Sequence, residues 1–292
     1  MATSNITDKY VFNFKEQWEF VDRWPLMSSP WPMLFITASY LLFVFKLGPA
    51  YMKGKQPYNL KNIILVYNIV QVFVSCYISQ YGVQTIMNKG LLEWNTCWFH
   101  SETFRYVVGK GHYYYFLAKL SELLDTVFFV LRKKWNQVSF LHVYHHTLMF
   151  IGTWVTLKYE PSYSLFLLGT VNSFVHIIMY AYYGMAAFPS LRKYLWWKKY
   201  ITKMQLIQFV AVMIHIQINT TLTQCRLSYF LLTLIWSNFF LFLYLFGNFY
   251  VNSYIKKRND EKNEKNNFSK HNALNSDTNK NNNLIKTSVS KK

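Results

Sequence analysis

The sequence predicts an all-α integral membrane protein with seven transmembrane helices, and three observations predict it. Of its 292 residues, 52% are hydrophobic and only 15% are charged, whereas soluble domains carry about 25% charged residues. Apolar stretches of the ~20 residues needed to cross a bilayer fall at roughly 31–52, 61–88, 112–132, 138–158, 163–187, 201–221 and 227–254. Basic clusters occupy alternate connections between them. An ordinary soluble enzyme is excluded by this composition.

The segment 1–30 precedes the first stretch. It has no basic region followed by an apolar one, so no cleaved signal peptide is expected. Its mixture of aromatic and charged residues, as in Trp18-Glu-Phe-Val-Asp22, predicts a short interfacial helix. The first, second and seventh stretches are the most apolar; the third, fourth and sixth contain charged or strongly polar residues. Lys53, Lys55 and Lys61 follow the first stretch, Arg132, Lys133 and Lys134 the third, Arg192, Lys193, Lys198 and Lys199 the fifth, and Lys256, Lys257 and Arg258 the seventh. In the second and fourth connections, by contrast, basic residues are offset by Glu93, Glu102 and Glu160, and Arg226 stands alone in the sixth. Basic loops stay cytosolic, so the N-terminus is expected on the non-cytosolic side and the C-terminus in the cytosol. Residues 256–292 carry ten Lys or Arg, four acidic residues and ten Asn, the composition of a disordered cytosolic tail.

Cys76, inside the second stretch, reads as a small buried apolar residue. Cys97 and Cys225 fall in non-cytosolic connections, where a disulfide persists; a bond between them and a pair of free thiols are both open. Asn5-Ile-Thr7 is a glycosylation sequon on the same side.

Charges inside a membrane cost ~2.5–3.5 kcal/mol each on insertion scales and mark functional sites by default. Lys119, Glu122 and Asp125 recur every three residues in the third stretch, with Thr126 beside them. They read either as a structural ion-pair ladder or as part of a site. His142, His145 and His146 stand at i, i+3 and i+4 on one face of the fourth. Asn172, His176 and Tyr180 rise one turn at a time along the fifth, and Gln205 and Gln208 share a face of the sixth. His142 lies eight residues past Lys134, ~12 Å if that whole interval is helical. The polar groups therefore belong to the cytosolic half or the mid-membrane.

Two chemistries use HxxHH spacing. Paired iron in membrane desaturases takes imidazole ligands, but needs about eight histidines from several boxes, and this chain has eight in all with a single box. The other is metal-free: a neutral imidazole attacks a thioester and passes its acyl group on, while a second imidazole moves the proton. A seven-helix receptor and a transporter are further alternatives, but a receptor has no need of three histidines on one face and no paired broken helices mark a transporter.

Four boxes carry a resemblance: K-L-S-E-L-L-D-T at 119–126, H-V-Y-H-H at 142–146, N-S-F-V-H-I-I-M-Y-A-Y-Y at 172–183 and T-K-M-Q-L-I-Q-F at 202–209. Together they resemble the ELO family of very-long-chain fatty acid elongases, membrane 3-ketoacyl-CoA synthases, over residues 31–255. The resemblance implies six of the seven helices forming a bundle or barrel around an acyl tunnel, open to the cytosol and closed at the other end. It implies condensation of a long-chain fatty acyl-CoA with malonyl-CoA, giving a 3-ketoacyl-CoA two carbons longer, CoA and CO2. It further implies an acyl-imidazole on His145 with His176 beside it. His176 and His146 would assist deprotonation or hold the enolate left by malonyl decarboxylation, and His142 would orient its neighbours. Lys119, Glu122, Asp125, Asn172, Gln205 and Gln208 would form the polar shell. Arg132, Lys133, Lys134, Lys198 and Lys199 would contact the CoA phosphates, a role that their topological one does not require. Gln137 and Val143 resemble the branch acting on long and polyunsaturated chains. No metal and no cofactor are implied, since both CoA thioesters are substrates. The implied setting is the endoplasmic reticulum membrane, with membrane lipid and the reductases and dehydratase of the elongation cycle as partners, no nucleic acid, and a homodimer as an open assembly state. Lys291 and Lys292 end the chain, off the register of a di-lysine retrieval signal.

Overall fold

Serines begin three of the helices. In the computed structural model, which describes residues 18–90, 102–222 and 227–256, the hydroxyls of Ser139, Ser162 and Ser228 accept from the amides of His142, Leu165 and Leu231, each at 3.2 Å. Each satisfies an amide that a first helical turn leaves open. Pro30 starts the first helix, where its missing N–H costs nothing. After the third, Lys133 turns left-handed at φ 54, and the amides of Lys134 and Lys133 donate to the Phe129 and Val130 carbonyls at 2.8 and 3.0 Å. Glycine is the usual residue at that corner.

The helices are α1 (Pro30–Met52, with a π-helical turn at Phe43–Leu47), α2 (Lys61–Lys89), α3 (Glu102–Leu131), α4 (Phe140–Tyr159), α5 (Tyr163–Ala186), α6 (Lys198–Leu222) and α7 (Tyr229–Tyr250). No strand occurs among the described residues. Five of them, α1, α2, α5, α6 and α7, are long and apolar enough to cross a membrane, which makes this a multi-pass membrane protein. α3 and α4 carry the buried charge and the histidine box, which lower their hydropathy. The chain divides into two compact units, residues 1–243 and 244–292. The second is described only for the end of α7 and a π-helical turn at Val251–Lys256, and the packing below belongs to the first.

Contact order along each pair fixes the topology. Tyr67 meets Phe128 and Tyr77 meets Tyr114, ring centroids 5.1 and 5.2 Å apart, so α2 and α3 are antiparallel. Thr126 meets His142 and Phe116 stacks on Phe150, so α3 and α4 are antiparallel. Tyr163 donates to the Gly90 carbonyl at 2.7 Å while Asn68 lies against Gly184, so α2 and α5 are antiparallel. α5 is therefore parallel to α3. This up-and-down order gathers the α1–α2, α3–α4 and α5–α6 connections at one end, the basic end, and the other connections at the far end.

α5 is the innermost of the apolar helices: 67% of its span is buried, against 11–33% for the other four. Small residues permit the approach. A Cβ at Gly82 would overlap the Thr170 side chain, and one at Gly111 would overlap the Phe166 ring, the close backbone packing on which membrane helices rely.

Residues 18–29 pack against the core at the far end. Trp18, Val21 and Met27 are buried in the core that includes Phe104, Phe116, Phe150 and Trp154. The Trp154 indole donates to the Leu26 carbonyl at 2.8 Å, and the buried Lys158 ammonium donates to the Met27 carbonyl at 3.0 Å and to Asp22. Glu160 is not the partner of Lys158; it accepts the amide and hydroxyl of Ser228 at 2.5 and 2.6 Å. Burial pushes the Glu160 carboxyl up, and the Ser228 bonds oppose that.

Residues 19–23 form a short 3-10 helix, and Trp18 and Phe20 cover Gly109. Three expectations change. α3 begins at Glu102, not 112, since its polar first turns continue the helix beyond the apolar stretch. His142 lies on the first turn of α4, two residues from its start, because Trp135–Gln137 is a separate turn; the ~12 Å depth is too large. Cys76 is exposed, a free thiol on the outer face of α2. It stands one residue past Ser75, which the helix turns inward. Cys97, Cys225, Asn5 and the tail beyond 256 lie outside the described residues.

Overpacking at Gly82 should cost more than helix propensity returns. Gly82→Ala gains ~1 kcal/mol of propensity but incurs an overpacking cost of about 1–3 kcal/mol. A lower thermal midpoint in detergent is expected, with most of the loss recovered when Thr170→Ala is added.

Candidate functional site

Two helices that run parallel present polar side chains at different intervals, three residues on α3 and four on α5, and these meet rung by rung. At the deepest rung the buried Lys119 ammonium donates to the Asn172 side-chain oxygen at 2.9 Å, and the Tyr115 hydroxyl donates to the same oxygen at 2.8 Å. Lys119 also donates to both oxygens of Glu122, at 2.8 and 2.9 Å. On the next rung His176 Nδ1 lies 3.1 Å from Glu122 Oε1. Nearest the basic end, the Tyr180 hydroxyl donates to Asp125 at 2.8 Å. Lys119 and Glu122 are each 2% exposed. A buried charge of that kind survives only when paired and hydrogen-bonded, and here each has both.

Glu122 accepts from Lys119 and, as a carboxylate, can only accept from His176. His176 therefore carries its proton on Nδ1, which leaves Nε2 with a lone pair. The Lys119 ammonium also sits 4.7 Å from the centre of the Tyr115 ring, a second favourable contact for its charge.

The histidine box faces this ladder from the first two turns of α4. His142 and His146 have ring centroids 4.3 Å apart, and His145 and His146 5.5 Å apart. Their surroundings differ. His142 Nε2 lies 3.0 Å from the Thr126 hydroxyl, which is 2.8 Å from the Tyr40 hydroxyl of α1. His146 is buried between its neighbours. His145 sets its ring edge against Phe242, 5.3 Å away, and its buried Nδ1 makes no hydrogen bond among the described residues. Lys119 and Glu122 lie within electrostatic range of His145, His146 and His176.

The sequence-predicted residues thus separate into groups. Lys119, Glu122, Asn172 and His176 form one connected network, and Asp125 is held apart from it by Tyr180. His142, His145 and His146 form a cluster beside it, and the direct partner of His176 is Glu122. Gln205 donates to the Met179 sulfur at 3.6 Å, while Gln208 is buried with its carbonyl oxygen unbonded among the described residues. Arg132, Lys133 and Lys134 follow α3, and Lys198 and Lys199 begin α6, all at the basic end. No group of three His, Cys, Asp or Glu side chains among the described residues is arranged to hold a metal ion.

Sequence reasoning passed over α2. Asn68, Gln71, Ser75 and Ser79 are all buried on one face of it, and Gln71 donates to the Ser121 hydroxyl at 2.8 Å. Their three- and four-residue spacing was a readable signal, hidden by averaging over one of the most apolar stretches. Tyr40 and Tyr115 gave no signal, since nothing local separates them from packing tyrosines.

Comparison with known proteins gives the family. The family model ELO, the GNS1/SUR4 family, matches residues 25–262. Human very long chain fatty acid elongase 4 is 41% identical over 236 residues, 80% of this chain and 74% of that protein. Mouse very long chain fatty acid elongase 2 is 38% identical over 261 residues, 86% of each chain. Very long chain fatty acid elongase 7 of Drosophila melanogaster is 37% identical over 241 residues, 82% of this chain and 73% of that protein. The four polar boxes lie inside the matched region, and the chain belongs to the ELO (GNS1/SUR4) family.

Proposed function

We propose that this protein is a fatty acid elongase that condenses a long-chain fatty acyl-CoA with malonyl-CoA through an acyl-imidazole on His145. The observation that supports it most is the unbonded His145 Nδ1, buried beside a Lys–Glu–His–Asn network in a chain of this family. With the ring proton on Nε2, an Nδ1 without a hydrogen bond keeps its lone pair for a carbonyl carbon.

In this reading His145 attacks the acyl thioester, the C–S bond breaks, and the thiolate takes the proton that the acylated ring gives up, relayed by His176 Nε2. Malonyl-CoA then loses CO2, and the resulting enolate attacks the acyl-imidazole. The C–N bond breaks, His145 recovers a proton from solution, and a 3-ketoacyl-CoA two carbons longer leaves. One proton is consumed overall, and no cofactor or metal takes part. Glu122 fixes the His176 tautomer, Lys119 and Asn172 hold Glu122, and Thr126 orients His142. His146 stands between the two roles and assists proton transfer. Gln205, Gln208 and Asp125 complete the polar lining.

Basic residues stay on the cytosolic side, so the basic end faces the cytosol and, with seven crossings, the N-terminus is lumenal. Arg132, Lys133, Lys134, Lys198 and Lys199 at the basic end suit CoA phosphates. Residence in the endoplasmic reticulum and supply of the 3-ketoacyl product to a reductase, a dehydratase and a second reductase follow from the reaction.

Intact-mass analysis of purified protein incubated with a long-chain acyl-CoA alone should show one added acyl group, absent in His145→Ala, and malonyl-CoA should discharge it as product. An unmodified wild type that nevertheless forms product with malonyl-CoA contradicts the covalent step.

A further inference from the structure

The α2 stripe holds two polar atoms that the network around the histidines does not use. The Asn68 amide nitrogen and the Gln71 carbonyl oxygen are buried and make no hydrogen bond among the described residues. Their residues are 3% and 2% exposed. The orientation of the Gln71 amide is settled by its neighbour. The Ser121 hydroxyl donates its proton to the Ala118 carbonyl at 2.7 Å, so at 2.8 Å it accepts from Gln71 Nε2, and Oε1 is left over. In an apolar surround, an unbonded donor and an unbonded acceptor are costly. Leucine would fill either place without that cost.

The pair also has a defined position. Asn68 lies against Gly184 of α5, toward the basic end. Gln71, one turn deeper, binds Ser121, the neighbour of Glu122. Asn68 therefore stands nearer the basic end than the Glu122–His176 rung, and Gln71 is level with that rung. Asn68 offers a donor and Gln71 an acceptor on one helix face, three residues apart. A secondary amide presents the matching pair, an oxygen that accepts and an N–H that donates.

The geometry points to Asn68 and Gln71 as the binding site for a secondary amide of the thioester's carrier arm, the amide nearest the sulfur. Its carbonyl accepts from Asn68 Nδ2 and its N–H donates to Gln71 Oε1, and this anchors the sulfur at the height of the Glu122–His176 rung. The inference rests on the condensation reading, and it assigns α2 a share of substrate recognition.

Two acyl thioesters test it, one on N-acetylcysteamine and one on the acetoxyethyl thiol, in which an ester oxygen replaces the amide N–H. Both keep the carbonyl that Asn68 would bind; only the first keeps the donor for Gln71. Each is assayed with malonyl-CoA at subsaturating concentration, alongside acyl-CoA. Wild type should use the amide about five- to tenfold better than the ester, the scale of one neutral hydrogen bond. Gln71→Leu should bring the two within about twofold of each other, and Asn68→Leu should lower both alike, as loss of a bond common to the two requires. Equal use of the two analogues by wild type overturns the proposal without any variant, as does a Gln71→Leu ratio unchanged from wild type. Turnover of acyl-CoA with neither analogue accepted also overturns it. A wild type that elongates no acyl-CoA overturns the condensation reading itself.

Discussion

The buried Lys119–Glu122 pair is the constraint from which the rest of the interior follows. Neither charge can be left alone at such burial, and neither is fully satisfied by the other. Lys119 takes Asn172 as its further acceptor, and Glu122 takes His176 as its further donor. Both partners come from α5, so the charges on α3 dictate which face of α5 turns inward and at what height. Asp125 and Tyr180 then meet one turn nearer the basic end.

The same register demands close backbones. A ladder of short polar side chains cannot bridge helices held apart by bulky residues, and the glycines at 82 and 111 let α5 settle against α2 and α3. Thr126, next to Asp125 in sequence, makes a separate set of contacts with His142 and Tyr40 that ties α1, α3 and α4 together. At the opposite end of the bundle, Lys158, Asp22 and Trp154 hold residues 18–29 against the core.

Much of this was legible in residue spacing. The intervals of Lys119, Glu122 and Asp125, of the three histidines, and of Asn172, His176 and Tyr180 each define one helix face, and burial of a charge in an apolar helix marks that face as internal. Spacing cannot say which rung meets which, because that depends on the offset between two helices distant in sequence. The Glu122 partner of His176 is one such pairing that spacing alone does not reveal. Helix boundaries set by hydropathy were also inexact. A helix such as α3 outruns the apolar part of its sequence, and a turn such as Trp135–Gln137 interrupts a stretch that reads as continuous. The stripe on α2 shows the opposite failure, in which a polar face disappears into a high average.

The account treats Glu122 and His176 as one unit that acts on the reacting thioester. The most direct measurement is a double-mutant cycle on the single-turnover condensation rate, with Glu122→Gln, His176→Gln and the pair. If the carboxylate acts by fixing the imidazole, the double variant loses no more than about twofold beyond the worse single variant, since the second change removes a group whose partner is already gone. Losses that multiply would show two independent residues and contradict the account.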